Sequence, residues 1–238
     1  MATYVISDIH GMYDKFTEML EIINLKNDDT LYILGDVFDR GPEPIKVLLK
    51  LMEMPNVRML RGNHEEMALK CLPTLLEEIT EISIAALDDV FINDLLIWQM
   101  NGNQSTLDEF YILENDTKNK VLEYLRNTIL FKELIVNDTE YLLVHAGLGN
   151  FSPDKVLGTY TVNELVWERA DYEKQYFEDK YLVTGHTPTQ TIDCCENPGY
   201  IYRNKNHIAI DCGACFKTGR LAAICLETGE EFYTSETE

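Results

Sequence analysis

Leu31-Tyr32-Ile33-Leu34-Gly35-Asp36-Val37-Phe38-Asp39-Arg40-Gly41-Pro42 is an apolar run that stops at a glycine and then presents two carboxylates and an arginine. An uninterrupted apolar run of this length, closed by glycine and proline, predicts a strand buried on both faces that ends in a turn. The same order recurs along the chain. Tyr4-Val5-Ile6 leads into Ser7-Asp8-Ile9-His10-Gly11, and Val57 to Leu60 leads into Arg61-Gly62-Asn63-His64-Glu65. Tyr141-Leu142-Leu143-Val144 leads into His145-Ala146-Gly147, and Tyr181-Leu182-Val183 leads into Gly185-His186-Thr187. Four of the five histidines fall in these motifs. Ligands of open α/β sheets collect outside the carboxyl ends of the strands, so the strand ends predict one shared site.

Working outward, the first sixty-odd residues read as a parallel β-α-β-α-β unit. One helix carries Phe16, Met19, Leu20 and Ile23, and the next carries Ile45, Leu48, Leu49 and Met52. From Glu65 the pattern turns helical, with Pro73 as a kink or boundary and Asn101-Gly102-Asn103 as a break. This predicts a helical insertion over about 65–130. Short strands follow at Leu134 to Val136, Tyr141 to Val144, Tyr181 to Thr184, Ile208 to Ile210 and Leu221 to Leu226. A helix around Asn163 to Arg169 opens on a Thr161-x-x-Glu164 capping box. The tail from Thr234 to Glu238 is expected to fray. No linker divides the 238 residues, which predicts a single α/β domain, 1–238.

Composition narrows the function. A formal net charge of -21 argues against a nucleic-acid partner, and no apolar stretch is long enough to imply a membrane partner. An anionic substrate would have to be captured by local positive groups. Six irregularly spaced cysteines suit a reducing, cytoplasmic protein better than a disulfide scaffold. Cys212-x-x-Cys215 has redox or zinc spacing and Cys194-Cys195 is adjacent, but no second pair supports a zinc site. No feature of the sequence sets an oligomeric state.

The clustered residues suit metal chemistry. Asp8, His10 and Asp36 form one donor set, and Asp36, Asn63, His145 and His186 form the other, with Asp36 as the bridge. Two ions about 3.5–4 Å apart clamp the attacking and leaving oxygens of a phosphate displacement and lower the pKa of a shared water. Mixed nitrogen and oxygen donors suit Mn, Fe, Zn, Co or Ni better than Ca or Mg, with manganese placed first. His64 follows a ligand and so lies beside the clamp, where it can protonate a leaving alkoxide. His207 stands outside the motifs and reads as structural, and Trp98 and Trp167 read as core.

The order Ser-Asp-Ile-His-Gly, Gly-Asp-Val-Phe-Asp-Arg-Gly, Arg-Gly-Asn-His-Glu, His-Ala-Gly, Gly-His-Thr resembles the calcineurin-like metallophosphoesterase superfamily. Within it the chain is similar to the phosphoprotein phosphatase branch in its compact bacterial and phage form. The resemblance spans Ser7 to about Gly213. It implies a sandwich of two mixed β-sheets flanked by helices, with the same metal ligands. It also implies that Arg40 and Arg169, together with Asn63, bind the phosphoryl group, that Asp39 orients His64 and keeps it charged, and that Asp211 supports the site. Arg61 could assist or form a structural ion pair. The implied activity is hydrolysis of phosphoserine, phosphothreonine or phosphotyrosine by a metal-bridging hydroxide, on a phosphoprotein or a phosphorylated small molecule. The alternative is a symmetric dinucleoside polyphosphate hydrolase, whose members more often carry Asp where this chain has Glu65. The Ser-Ala-Pro-Asn-Tyr motif of eukaryotic relatives has no match after His186, so their substrate grooves are not carried over.

Overall fold

The computed structural model describes residues 1–76 and 88–236. Ten strands are described: β1 (Thr3–Ile6), β2 (Thr30–Ile33), β3 (Val57–Met59), β4 (Phe131–Val136), β5 (Thr139–Val144), β6 (Lys180–Thr184), β7 (Tyr202–Asn204), β8 (His207–Ala209), β9 (Ala222–Cys225) and β10 (Glu231–Tyr233). They form two five-stranded mixed sheets, ordered β10-β9-β1-β2-β3 and β4-β5-β6-β8-β7. In the first, β1, β2 and β3 are parallel and β9 and β10 antiparallel, with Ile6 beside both Ile33 and Ala223. In the second, β5, β6 and β8 are parallel and flanked by antiparallel β4 and β7.

Strand alternation builds three apolar layers. Val5, Tyr32, Tyr141, Leu143, Val183, Ile208 and Ile224 pack between the sheets. Their neighbours Ile6, Leu31 and Ile33 face the opposite way, onto helices. Leu142, Val144 and Leu182 likewise turn outward, toward Leu165 and Val166. Burial on both faces is why these strands read as continuous apolar runs.

Helices α1 (Tyr13–Ile22), α2 (Pro44–Met52), α3 (Asn63–Leu75), α4 (Asp89–Met100), α5 (Gln104–Tyr111) and α6 (Asn115–Arg126) flank the first sheet, and α7 (Val162–Val166) flanks the second. Pro44 starts α2, where its missing N–H costs nothing. The Asp88 carboxylate accepts the Phe91 N–H at 2.8 Å to cap α4. Thus α3 to α6 occupy the segment read as a helical insertion. Pro73 lies near the end of α3, and Asn101 to Asn103 separate α4 from α5. The part of that segment spanning 77–87 lies outside the described residues, as does 237–238.

Three expectations change. The polar edge strands β7 and β10 have no apolar alternation to announce them. Helix α7 stops at Val166, so Trp167, Glu168 and Arg169 follow it rather than complete it. The tail is anchored as far as Glu236: Thr234 is buried and its hydroxyl accepts the Leu221 N–H at 3.0 Å, Ser235 N–H reaches Glu18 at 2.9 Å, and Glu236 pairs with Arg220.

The sheets also meet at their edges. Leu60 and Ile129, just outside β3 and β4, form a parallel bridge, and Arg61 N–H donates to Ile129 C=O at 2.8 Å. On the opposite side Arg203 of β7 pairs with Glu231 of β10 at 2.8 Å and donates to Gly229 C=O at 3.0 Å.

Candidate active site

Both sheets deliver their parallel strands to one crevice. Asp8 and His10 follow β1, and Asp36, Asp39 and Arg40 follow β2. Asn63 and His64 open α3 after β3, His145 follows β5, His186 follows β6, and Asp211 follows β8. Asp8, His10, Asp36, Asp39, Asn63, His64, His145 and Asp211 are all buried. Among the described residues, two groups of donor atoms each lie within 4.8 Å of one another: His10, Asp36 and His64 in one, and Asp36, His145 and His186 in the other. Asp36 belongs to both. Asn63 Oδ1 joins the second group, 3.0 Å from His145 Nε2 and 2.9 Å from His186 Nδ1. Asp8 differs from its anticipated place in the first group, because its oxygens are engaged by the His186 backbone N–H, at 3.1 and 2.9 Å, and by the Ser7 hydroxyl.

Backbone carbonyls orient two of the rings. His10 Nδ1 lies 2.8 Å from Phe38 O and His145 Nδ1 lies 2.6 Å from Leu34 O, a pairing that puts a proton on each Nδ1 and turns each Nε2 inward. Asp8, His10, Asp36, Asp39, Arg40 and His186 all adopt positive φ, between 46° and 69°. Non-glycine residues rarely do so, and such conformations persist only where the surroundings hold them.

Much of that hold comes from Glu65. Its buried carboxylate accepts the N–H groups of Asp36, Val37, Phe38 and Gly62 at 2.8, 2.9, 3.3 and 2.9 Å. The residue that served only as a family discriminator in the sequence therefore braces the loop after β2. Arg61 pairs with Glu66 at 3.1 Å and donates to Thr128 at 3.2 Å, which is the structural alternative for this residue.

The Asp39–His64 contact is direct, at 2.5 Å between Oδ2 and Nδ1. Arg40 donates to His10 Nε2 at 2.8 Å and to His64 Nε2 at 3.0 Å, so it lies between the two rings. Asp39 also accepts the Trp98 indole N–H at 2.7 Å and the Thr106 hydroxyl at 2.5 Å, two contacts with no motif to announce them. Arg169 is exposed at the rim. It lines a groove of about 450 Å³ together with Asp171, Tyr172, Glu173, Thr187 and Asp193. His207 is buried away from these groups, against Thr184 and Tyr172, as a structural histidine would be. Tyr124 packs into the core and Tyr111 is exposed. All six cysteines are free thiols, with Cys212 buried and Cys194 exposed.

Electrostatics tests whether cations fit here. Burial, reinforced by Asp211, raises the Asp8 carboxyl well above its ordinary range, and burial raises Asp211 to about 6. Burial also opposes the charge on Asp36, but His145 and His64 outweigh it and hold that carboxyl well below its ordinary range. Burial disfavours a charged His145, yet Asp36 lifts it to about 10. Burial and repulsion from His145 push His186 down to about 3. Several acids thus share one low-dielectric pocket with imidazoles whose inward ring nitrogens offer lone pairs once His145 gives up its second proton. Divalent cations suit such a donor set because they neutralise the carboxylates while accepting those lone pairs.

Donor sets that share one carboxylate are the mark of hydrolases that grip both ends of a phosphate displacement. The comparison with known families agrees: the model for calcineurin-like phosphoesterases matches residues 1–211, and this chain belongs to that family. A symmetrical bis(5'-nucleosyl)-tetraphosphatase of Nitrosomonas europaea is 32% identical over 150 residues, covering 62% of this chain and 45% of the relative. The protein of the same description from Wigglesworthia glossinidia brevipalpis is 46% identical over 68 residues, 27% of this chain and 25% of the relative. The matched regions therefore span less than half the length of these relatives. Among solved structures, a candidate diadenosine tetraphosphatase superposes with a TM-score of 0.68 at 17% identity, covering 100% of this chain and 94% of the other. A serine/threonine phosphatase from Saccharomyces cerevisiae gives 0.57 at 15% identity, covering 100% and 81%. These structural likenesses establish the two-sheet fold.

Proposed function

We propose that this hydrolase acts on small phosphorylated molecules, with symmetrical dinucleoside tetraphosphates as the leading substrate. The observation that carries the chemistry is the pair of donor groups sharing Asp36, set directly against Arg40 and the Asp39–His64 contact. His10 and Asp36, joined by Asp8 once its carboxylate turns from the His186 N–H, would hold one divalent ion and Asp36, Asn63, His145 and His186 a second, manganese first among the candidates, supplying an activated water and charge neutralisation. Arg40 and Arg169 would grip the phosphoryl oxygens, where permanently charged guanidinium forks strengthen as charge develops. Asn63 would add a side-chain amide contact. His64 would deliver a proton to the leaving oxygen from Nε2 while Asp39 fixes the ring at Nδ1. That role requires Arg40 to turn from His64 Nε2 toward the substrate.

The tetraphosphate reading is supported by the description shared by the two sequence relatives above. It reverses the order in which the sequence alone ranked the substrates. The phosphoprotein reading keeps one observation in its favour. Beyond Arg169 the groove is lined by Asp171, Glu173 and Asp193, which suits a single phosphoryl group better than a polyphosphate chain. Side-by-side kcat/KM values on diadenosine tetraphosphate and a phosphoserine peptide, with the same metal and salt, decide between them. The tetraphosphate is expected to lead by about tenfold or more, a difference of about 1.4 kcal/mol. A phosphopeptide preference of that size would overturn the substrate assignment and leave the hydrolase class intact.

A further inference from the structure

Asp39 is held by more donors than a carboxylate that merely orients a ring requires. Its Oδ2 accepts both His64 Nδ1–H and the Trp98 indole N–H, at 2.5 and 2.7 Å, and its Oδ1 accepts the Thr106 hydroxyl at 2.5 Å. The same hydroxyl accepts the Asp39 backbone N–H at 3.0 Å, and the Arg40 backbone N–H donates to Gly102 C=O at 3.0 Å. Apart from His64, each of these partners belongs to α4, α5 or the turn between them. That segment binds two consecutive non-glycine residues at positive φ, 69° for Asp39 and 68° for Arg40. Each such conformation is strained and persists only where its surroundings impose it. Gly102, at φ +92°, brings the turn close, since a Cβ there would lie 3.3 Å from Arg40 Cγ. Asp39, His64, Trp98 and Thr106 are fully buried, so water does not compete for these hydrogen bonds.

We propose that Trp98 and Thr106 are positioning residues for proton transfer: the α4–α5 corner buckles the Asp39–Arg40 turn, and its two side-chain donors aim His64 through Asp39. The inference rests on the proposed role of His64 as the acid. With both carboxylate oxygens pinned, the plane of Asp39 is set, and Nδ1–H can meet Oδ2 in one ring orientation. Remove a donor and the carboxylate gains freedom to rotate. Nε2 then spends less time on the line to the leaving oxygen, a loss that falls on turnover more than on substrate binding.

The test uses the metal-loaded full chain and the variants Trp98→Phe, Thr106→Val, Thr106→Ser and His64→Asn, each assayed on phosphoserine and on p-nitrophenyl phosphate. Trp98→Phe and Thr106→Val are expected to lower kcat on the alkyl ester by about tenfold or more, and on the aryl ester, whose phenolate leaves unaided, by less than about threefold. KM should stay within about twofold, and Thr106→Ser should recover most of the loss. Equal losses on both esters, or no loss on the alkyl ester, would overturn the positioning role. If His64→Asn itself loses equally on both, the acid assignment fails. If it discriminates and the other variants do not, only the positioning inference fails. Should Trp98→Phe not fold, the nearly isosteric Thr106→Val and Thr106→Ser pair carries the test. Independently of turnover, nuclear magnetic resonance of the metal-free protein should show the His64 Nδ1–H resonance broadened or lost in Thr106→Val and restored in Thr106→Ser. An unchanged resonance in Thr106→Val would count against the proposal.

Discussion

Among the described residues, Asp36 is the one carboxylate common to both donor groups. Its backbone sits at φ 53°, its N–H is held by Glu65, its Oδ1 accepts the His64 N–H at 3.1 Å and lies 3.4 Å from His145 Nε2, and its Oδ2 lies 3.8 Å from His10 Nε2. As a proposed shared ligand, it should be the position where one substitution empties both sites. Elemental analysis of Asp36→Asn is expected to show the loss of both ions together, and retention of two tightly bound ions would rule out the bridge. His64→Asn should lower kcat on alkyl phosphates by about 10²–10⁴-fold and far less on p-nitrophenyl phosphate. Glu65→Ala removes the acceptor of four backbone N–H groups in a buried loop. Each unsatisfied buried donor costs about 1–3 kcal/mol before relaxation and water entry reduce the sum, so a net loss of about 2–4 kcal/mol is expected. Urea denaturation measures it, and an unshifted midpoint would mean that the loop after β2 holds its shape unaided.

Elements show which parts of the architecture the chain announces. The runs entering β1, β2, β5 and β6 were legible because each strand is buried on both faces, and apolar residues followed by Asp, Asn or His fall at their ends. Strands β7 and β10 were not, since Tyr202-Arg203-Asn204 and Glu231-Phe232-Tyr233 mix polar and apolar residues over three positions at sheet edges. The donors to Asp39 were hidden for another reason. Trp98 and Thr106 lie 59 and 67 residues away in sequence, and a tryptophan among Leu and Ile residues reads as core whether or not its N–H meets a carboxylate. Positive φ at Asp8 or His186 leaves no mark in a sequence that places no glycine there. Strand β8 supplies a pH test. Burial pushes His207 down to about 4, against 6.5 in an exposed setting. As pH falls the unfolded chain protonates first, so stability is complete above about 6.5, declines toward 4, and then levels off, by about 3 kcal/mol at most from this group. His207→Phe should flatten the pH dependence of the urea midpoint across that window. An unchanged slope would assign the acid sensitivity to other groups.

For the whole molecule, charge and closure matter most. A formal net charge of -21 surrounds a site whose proposed substrate is a polyanion. Raising ionic strength from about 0.01 to 0.15 M shortens the screening length from about 30 to 8 Å. Long-range repulsion is then damped, while short contacts to Arg40 and Arg169 are screened less. kcat/KM for diadenosine tetraphosphate is therefore expected to rise over that range, whereas a fall would show that the local guanidinium groups already dominate encounter. The paired edges of the sandwich have a further consequence for behaviour in a crowded solution. An exposed edge strand offers a ladder of unpaired N–H and C=O groups on which another chain can build. Here the Leu60–Ile129 bridge sets the β3 border against the β4 border, and Arg203 with Glu231 ties β7 to β10, so each border has another beside it. The fold approaches the edgeless condition of a barrel without closing its hydrogen-bond network, and loss of a surface arginine remote from any chemistry is expected to leave two strand edges more open to addition by another chain.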